Sequence, residues 1–228
     1  MNTPSCDIVV GWTDLEQKIM QVAEKTKDKR RVRGEESRRL ILQSAVSTIA
    51  ALGLGSMTLD RVAEKAGISR ALVVFHFKSK NRLLEEVLEY LGRAFAQGWD
   101  ALATDKNASN LDKLLQLIDY DIDFAYQNPK YVSAWHAFWG ESKGNQLYHS
   151  LSFPRDEEHA HDVEDLIAAI IDEGGYDSKE AEPVTMALNA ILFGIWVESH
   201  LSLNPDDCEK YKRAIRHLLC KVFPGHCI

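Results

Sequence analysis

Residues 58–80 read TLDRVAEKAGISRALVVFHFKSK, a stretch that predicts two short helices joined at a glycine. Thr58 offers a hydroxyl that can cap the first helix, in which apolar residues recur on one side at helical spacing. Gly67 permits the left-handed backbone that a sharp turn needs, and Ser69 is a suitable N-cap for the second helix. The stretch therefore predicts a helix-turn-helix unit with its hinge at Gly67.

The second predicted helix runs from Arg70 to Phe77 and has roughly two turns. Helical spacing turns Phe77 inward together with either Leu72 or Val73. A helix of this length fits the major groove of DNA, which makes it a candidate DNA-reading element. The residues predicted to face outward are Ser69, Arg70, Ala71, Val74, Phe75 and His76.

The charge of the chain is divided unevenly between this region and the rest. Residues 25–80 carry 13 lysine and arginine residues against 5 acidic residues, a net charge of +8. The remainder carries 14 basic and 29 acidic residues, a net charge of −15, which gives −7 for the whole chain. An ordinary helix pair inside an all-helical domain is the alternative, but this division favours phosphate binding by the basic segment.

Residues 63–80 resemble the signature of the TetR family of transcriptional repressors, through the Ala-Gly-Ile-Ser hinge, the His-Phe end and the following lysine. By this resemblance, Thr58 holds a DNA phosphate from the start of the first helix. The base-facing start of the recognition helix comprises Ser69, Arg70, Ala71 and Leu72. The residues that flank the DNA backbone are Phe75, His76 and Lys80.

Two residues depart from the family signature. Ala71 stands where the family usually has glycine, and Val74 stands where a tyrosine is common. A valine offers only apolar contact to a thymine methyl group. We therefore expect an operator preference unlike that of relatives that carry the tyrosine.

The basic tract at residues 25–34 precedes the helix-turn-helix and contains Arg30, Arg31 and Arg33. Such a tract is either a solvated linker or an arm that enters the minor groove of DNA, where arginine is favoured. The predicted domains are an N-terminal extension with the basic arm (1–33), the DNA-binding domain (34–82) and a ligand-binding and dimerisation domain (83–228).

Helical periodicity continues along nearly the whole chain, with no alternating strand pattern, so the predicted fold class is all-α. A three-helix DNA-binding domain precedes a larger helical body, and the helix that starts at Lys80 is long enough to span both. A loop is predicted at residues 142–156. The other predicted helices are 13–25, 35–52, 111–127, 130–141, 156–173, 178–203 and 206–222.

The helix from Val184 to Leu203 is apolar around most of its circumference, so it must be covered from several sides. Burial in the core of a single subunit is one explanation. The TetR resemblance implies another, a symmetric homodimer built by the last two helices. Two recognition helices about one helical turn apart would read a palindromic double-stranded operator.

Aromatic residues gather on the predicted helix around residue 135, where Tyr131, Trp135, Phe138 and Trp139 share a face. Aromatic rings at this spacing usually belong to a core. Residues 130–222, however, resemble the C-terminal region of BetI-like repressors, whose members respond to choline and its relatives. The resemblance implies a small-molecule effector, a quaternary ammonium ion held by these rings and Trp196, with Glu141 or Glu198 nearby.

Other chemistry is not indicated by the sequence. His217, Cys220, His226 and Cys227 match no standard zinc spacing, and the residues around His159 suit a solvated helix start. No nucleophile elbow, phosphate loop or HExxH motif is present, so no catalytic residue, metal or cofactor is predicted. The cysteines form no evident disulfide framework, and no secretory leader or membrane span is recognised. We expect a cytoplasmic, effector-responsive regulator, with a ligand-indifferent DNA-binding protein and, less favoured, a small helical enzyme as alternatives.

Overall fold

The structure, a computed structural model, describes residues 10–141, 153–202, 204 and 206–226. This described part consists of α-helices and one short 3-10 turn and contains no β-strand, which confirms the predicted all-α fold class. The 3-10 turn, Ser178–Glu180, precedes α8. The helices are α1 (Val10–Ser56), α2 (Leu59–Ala66), α3 (Arg70–Phe77), α4 (Lys80–Ala103), α5 (Asn110–Gln127), α6 (Pro129–Gly140), α7 (Phe153–Gly174), α8 (Ala181–Ser202) and α9 (Asp206–Val222).

Helix α1 is much longer than the sequence analysis predicts. It begins at Val10 and continues through residues 25–34, so the basic tract is helical rather than an irregular linker. Residues 12–33 contain no glycine or proline, and their lysine, arginine and glutamate residues favour helix. The ion pair between Arg31 and Glu35, with 3.2 Å between nitrogen and oxygen, joins residues one helical turn apart and stabilises the helix slightly.

The C-terminal half of α1 provides the first part of the core. Ile41, Ala45 and Ile49 are fully or almost fully buried, as their spacing predicts. Leu40 and Leu52, which belong to the same predicted helix, are 42% and 49% exposed. The buried stripe of α1 is therefore narrower than the sequence pattern indicates.

Regular helix geometry ends at Gly53, whose φ of 74° and ψ of 169° interrupt α1. The chain then turns and buries Leu54 and Met57 under the helix-turn-helix unit. This is the position where the sequence analysis closes the helix. The positive φ explains why a glycine stands there.

Helix α2 and its hinge have the predicted caps. The Thr58 hydroxyl oxygen accepts a hydrogen bond from the Arg61 backbone N–H at 3.2 Å. Gly67 has a φ of 66°, and the N–H of Ile68 donates back to the Ala63 carbonyl at 3.0 Å. The chain is thereby turned sharply enough for a second helix to pack across the first.

Helix α3 starts at the predicted Ser69 cap, whose hydroxyl oxygen accepts a hydrogen bond from the Leu72 N–H at 3.2 Å. Val73 and Phe77 are its buried residues. Of the two inward candidates, Val73 is therefore the core residue, and Leu72 is half-buried. We call α1 to α3 the head, and the helices from α5 onward the body.

Helix α4 joins the head to the body without a flexible linker. The Arg38 guanidinium of α1 forms an ion pair with Glu86 near the start of α4. Near its other end, the carbonyl of Phe95 accepts a hydrogen bond from the Tyr120 hydroxyl of α5 at 2.6 Å. Because an α-helix is stiff over this length, α4 couples the head rigidly to the body.

Helix α5 lies at the centre of the body, in contact with α4, α6, α7, α8 and α9. Helix α6 packs along α1 and against α8, so it contacts the head as well as the body. The predicted loop at 142–156 falls largely outside the described residues, and α7 begins at Phe153, three residues earlier than predicted.

Two stretches are long and apolar enough by composition to cross a membrane, Arg31–Ser56 and Ser178–Leu201. The first supplies core residues of the head. The second supplies Leu188, Leu192 and Ile195, which are buried in the body. Core packing accounts for the inward side of each stretch, and the outward side of α8 remains apolar.

A pair of glycine substitutions tests the geometry of the hinge. A Cβ atom would have open space at both Gly67 and Gly34, but only Gly67 has a positive φ. We expect Gly67→Ala to lower the free energy of unfolding by about 1 kcal/mol, because an alanine is strained in that conformation. Gly34→Ala, inside α1, should raise it by roughly 0.5 to 1 kcal/mol. Equal effects of the two substitutions in urea unfolding would contradict this account of the hinge.

Candidate functional site

The outer surface of α3 is the first candidate site. Ser69, Arg70 and Ala71 are exposed at the start of the helix, and Phe75 is 67% exposed one turn later. These residues form one outward surface, as the sequence analysis predicts.

Arg70 is positioned by an ion pair across the hinge. Its Nε atom lies 3.1 Å from Oδ1 of Asp60 on α2, and both side chains are more than half exposed. An exposed pair of this kind is weak in water. The pair orients the Arg70 side chain. Because the pair is weak, Arg70 can leave Asp60 for another hydrogen-bond acceptor.

Phe75 and His76 lie beside a lysine at the end of α3. The Lys78 ammonium donates to the Phe75 carbonyl at 2.9 Å and stands 5.3 Å from the centre of the Phe75 ring. Burial lowers the pKa of His76, and the neighbouring positive charges of Arg38 and Lys78 lower it further. His76 is therefore a neutral group near pH 7 rather than a cation.

The remaining predicted DNA contacts have mixed surroundings. Thr58 is exposed at the N-terminus of α2. Val74 is half-buried, and the Lys80 ammonium donates to the Leu54 carbonyl at 3.0 Å, which ties α4 to the end of α1. Arg31 and Arg33 are exposed on α1, whereas the side chain of Arg30 lies outside the described part of the structure.

The second candidate site is a partly open cavity of about 250 Å³ lined by residues of α4, α5, α6, α7 and α8. An apolar cavity of roughly 150 Å³ accommodates benzene, so this one has room for a small organic molecule. The polar or ionisable residues at its wall are Asp121, His159 and Asn189. The aromatic residues at its wall are Phe95, Trp99, Trp135, Trp139, Phe193 and Trp196.

The aromatic wall is built from rings in mutual contact. The rings of Trp135 and Trp196 meet edge to face, 5.5 Å apart and at 84°. Phe95 stacks on Trp99 at 5.5 Å, and Trp139 lies 5.3 Å from the partly exposed Phe193. Contacts of this kind fix ring orientation. Most of the cavity wall is therefore a preorganised aromatic surface, to which Val163 and Leu192 add aliphatic contacts.

Asp121 of α5 is a buried carboxylic acid at the cavity wall. Its Oδ1 accepts a hydrogen bond from the Trp196 indole N–H at 2.7 Å. Burial raises the pKa of Asp121 to about 7, although the Trp196 hydrogen bond acts in the opposite direction. A second indole makes a similar contact, from Trp99 to Asp162 at 2.7 Å. Both tryptophans thus point their N–H groups at carboxyl groups.

Of the five residues predicted to bind a ligand, the structure brings Trp135, Trp139 and Trp196 together at the cavity. Phe138 is fully buried in the core and does not line the cavity. Tyr131 does not line it either, because its hydroxyl lies 3.0 Å from that of Tyr90 on α4. The aromatic stripe on α6 thus divides between the cavity and the packing of neighbouring helices.

The carboxylate expected near the tryptophans was assigned to the wrong residues. Glu141 is exposed at the end of α6, and Glu198 lies near Tyr126 and Tyr211 on another side of α8. Asp121 takes this place instead. A sequence signal existed for it, because Asp121 interrupts the buried stripe of α5 formed by Leu114, Leu117, Ile118, Phe124 and Ala125.

Within the described residues, possible metal ligands do not form a further candidate site. The grouping suited to a metal there is Asp123, Cys208 and Glu209, and the Lys212 ammonium lies 2.6 Å from Asp123 and 3.1 Å from Glu209. The lysine already compensates these charges. Cys208 is a free buried thiol.

Of the C-terminal cysteine and histidine residues, those that the structure describes form no group suited to a metal ion. Cys220 is disulfide-bonded, so the prediction that the chain has no disulfide is wrong at this residue. The Nδ1 atom of His226 lies 3.1 Å from the Tyr176 hydroxyl. Cys227 lies outside the described residues.

A helix-turn-helix head with an outward second helix, joined through one helix to an all-helical body with a cavity, defines a DNA-binding transcriptional regulator. The chain belongs to the TetR family of bacterial regulatory proteins, whose N-terminal model matches residues 41–87. The model of the BetI-type transcriptional repressor C-terminal region matches residues 111–224. This confirms the resemblance seen in the sequence.

Relatives and solved structures agree with this assignment. The chain is 22% identical to the transcriptional regulator BetI of Escherichia coli K12 over 193 residues, or 82% of this chain and 94% of BetI. A TetR transcription regulator of Haloarcula marismortui has a similar fold, with a TM-score of 0.69 and 21% identity, covering 80% of this chain and 96% of that one. A transcriptional regulator of Saccharomonospora viridis, crystallised with choline, also has a similar fold. Its TM-score is 0.69 and its sequence identity is 22%, over 81% of this chain and 96% of that one.

The buried carboxyl group predicts a pH-dependent stability. Because the pKa of Asp121 is raised in the folded state, the folded protein holds a proton that the unfolded chain releases between about pH 4 and 7. Wild-type stability should therefore fall over that range relative to Asp121→Asn. The variant should be more stable by a few kcal/mol above pH 7, as measured by urea unfolding at several pH values.

The exposed Asp165 of α7 provides the control for this prediction. Asp165→Asn should follow the wild-type stability curve at every pH. Parallel curves for the wild type and Asp121→Asn would contradict the assignment of a raised pKa to Asp121.

Proposed function

We propose that the chain is a homodimeric repressor that binds a palindromic operator and is released from it by a small organic cation, choline or a close relative. The observation that carries this proposal is the aromatic cavity with a buried carboxyl group, placed against the helix that also contacts the head. Family membership supports the DNA-binding part, and the cavity supports the effector part.

The proposed DNA contacts follow from the exposure of α3. Its start would lie in the major groove and present Ser69, Arg70, Ala71 and Leu72 to the bases, with Val74 limited to thymine methyl contact. Thr58 would hold a phosphate at the N-terminus of α2, where backbone N–H groups favour anions. Phe75, His76 and Lys80 would then flank the backbone.

The basic residues at the start of the head would extend this contact. Because α1 is helical there, Arg31 and Arg33, with Arg30, are carried on a helix rather than on a free arm. We propose that this helix meets the DNA outside the recognition site and contributes mainly through charge. Such contacts are independent of base sequence and depend strongly on salt concentration.

The proposed dimer would be formed by the last two helices. Met186, Leu201 and Leu218 are 65%, 73% and 49% exposed on α8 and α9, far more than a closed core allows. Ala187 and Gly194 lie exposed on α8 and would let a partner helix approach closely. A second copy of the chain is the partner that would also place two α3 helices on one duplex.

The proposed effector follows from the chemistry of the cavity wall. Aromatic faces attract a quaternary ammonium ion electrostatically, by roughly 0.5 to 2 kcal/mol for each well-placed ring. Trp135, Trp139 and Trp196 would provide these faces. The choline complex of the Saccharomonospora viridis regulator, which shares the fold, is consistent with an effector of this class.

Release from DNA would pass through α6. This helix carries Trp135 and Trp139 at the cavity and packs along α1 of the head. Tyr131 of α6 also meets Tyr90 of α4, which lies 3.4 Å from the Gln43 amide of α1. An effector that shifts α6 would therefore change how the head packs against the body. The equilibrium between the DNA-binding and the released state would shift by the difference between the effector's binding free energies for those two states.

An arginine substitution tests the DNA-binding surface. We expect Arg70→Ala to weaken binding to a duplex selected by the protein from random sequences by about 1 to 3 kcal/mol, because a base contact is lost. Arg93→Ala is the matched control, since Arg93 is equally exposed and paired with Glu89 on α4. Fluorescence anisotropy that showed equal loss for both variants would contradict the assigned surface.

Substitution at the cavity mouth tests the effector. Choline should release the selected duplex from the wild-type protein, and Trp139→Leu should raise the required concentration by about 2- to 30-fold. Trp139 is half-buried, so the fold should tolerate this change. Trp139→Phe keeps an aromatic face, so the choline concentration that it requires should lie between those of the wild type and Trp139→Leu.

Unchanged DNA binding at every choline concentration would contradict the effector proposal. It would favour instead a regulator that binds DNA regardless of ligand.

A further inference from the structure

Asp121 differs from every other residue at the cavity wall, because it is the carboxylic acid among the described residues there. It is only 7% exposed, and its described donor is the neutral indole N–H of Trp196. Within the described residues, no lysine or arginine forms an ion pair with it. An ionised carboxylate in such surroundings lacks a counter-charge.

None of the described groups that face Asp121 carries a permanent positive charge. Helix α4 contributes Gly92, Phe95 and Trp99, which do not titrate. The titratable groups around it are Tyr120 on α5, His136 on α6, which contacts the Trp196 carbonyl, and His159 and Asp162 on α7. The α8 side is formed by Asn189, Leu192 and Trp196.

We propose that Asp121 sets the charge specificity of the effector site, so that the cavity accepts a permanent cation and disfavours an uncharged molecule of the same shape. This inference rests on the proposed function, because it takes the cavity as the effector site. The tryptophan rings alone would distinguish a cation from an uncharged molecule less strongly, since they also bury the apolar methyl groups that both molecules share. A buried carboxylate adds a full charge that only a cation or a proton can neutralise.

Binding of a cation would release a proton from Asp121. In the empty cavity near neutral pH, Asp121 holds a proton on part of the molecules, because burial raises its pKa to about 7. When a cation enters, the carboxyl O–H bond breaks, the proton passes to the buffer, and the ammonium charge takes its place. A neutral molecule releases no proton.

The pH dependence of binding follows with a definite sign. Below about pH 7 the cation must displace a proton, so its affinity should fall by up to tenfold for each pH unit. Above that pH, Asp121 is already ionised and the affinity should be constant. Protonation of His159 would also repel a cation at low pH, so that residue needs its own control.

Isothermal titration calorimetry of the full-length protein can test the inference with two ligands of equal shape. The probes are choline and 3,3-dimethylbutan-1-ol, in which a carbon atom replaces the charged nitrogen. Titrations at pH 6, 7 and 8, in buffers of different ionisation enthalpy, report both affinity and proton release. The wild type should bind choline more tightly and release a proton at pH 6, with the alcohol releasing none.

Two variants complete the test. Asp121→Asn keeps an acceptor for Trp196 and should lower choline affinity roughly 10- to 100-fold, with no loss for the alcohol and no proton release. His159→Gln should keep the preference for choline over the alcohol and should still release a proton at pH 6; loss of that proton would assign it to His159 and overturn the inference. Proton release in the wild type needs no variant, so the inference stays testable if Asp121→Asn does not fold.

The outcomes separate this inference from the proposed function. Equal affinity for the two ligands in the wild type, or an equal loss for both in Asp121→Asn, overturns the role of Asp121 and leaves an effector site intact. Charge discrimination by Asp121 without release of DNA by choline supports this inference and overturns the proposed effector. No binding of either ligand overturns both.

Discussion

Helix α4 is the constraint on which the rest of the molecule depends. Its first turns are tied to the head through the ion pair of Arg38 with Glu86 and the hydrogen bond from Lys80 to the Leu54 carbonyl. Its last turns carry Phe95 and Trp99 into the cavity wall. Because no flexible linker intervenes, the angle of the recognition helix is set by how the body packs. Under the proposed function, a ligand in the body would change DNA binding through this connection.

The cavity stores an unfavourable arrangement that a suitable ligand would relieve. A largely apolar cavity usually contains no acid, yet here Asp121 is held beside a tryptophan with a raised pKa. Removing that acid would make the folded protein more stable, whereas a bound cation would stabilise it without loss of the acid. Stability and ligand response are therefore expected to oppose each other at this position, as they often do at functional sites.

The sequence predicted the parts of the molecule that local chemistry determines. The caps at Thr58 and Ser69 and the hinge at Gly67 depend on a few neighbouring residues, and all three were predicted correctly. The basic tract was predicted as a linker or a minor-groove arm, and its helical structure was missed because a run of like charges masked good helix formers. Asp121 was missed because its burial depends on four other helices, and the carboxylate was sought instead on the helices that carry the tryptophans. The division of the α6 aromatics between cavity and core likewise depends on where α4 and α8 lie.

The central claim is that two copies of a helix-turn-helix head read one duplex through their α3 helices. In vitro selection from random duplexes, followed by sequencing, tests it most directly, because it presumes no operator. We expect the protein to enrich one palindromic motif whose half-sites lie about one helical turn apart, roughly 10 base pairs centre to centre, or a multiple of it. No enrichment above the starting pool, or enrichment of a single unrepeated half-site, would contradict the account.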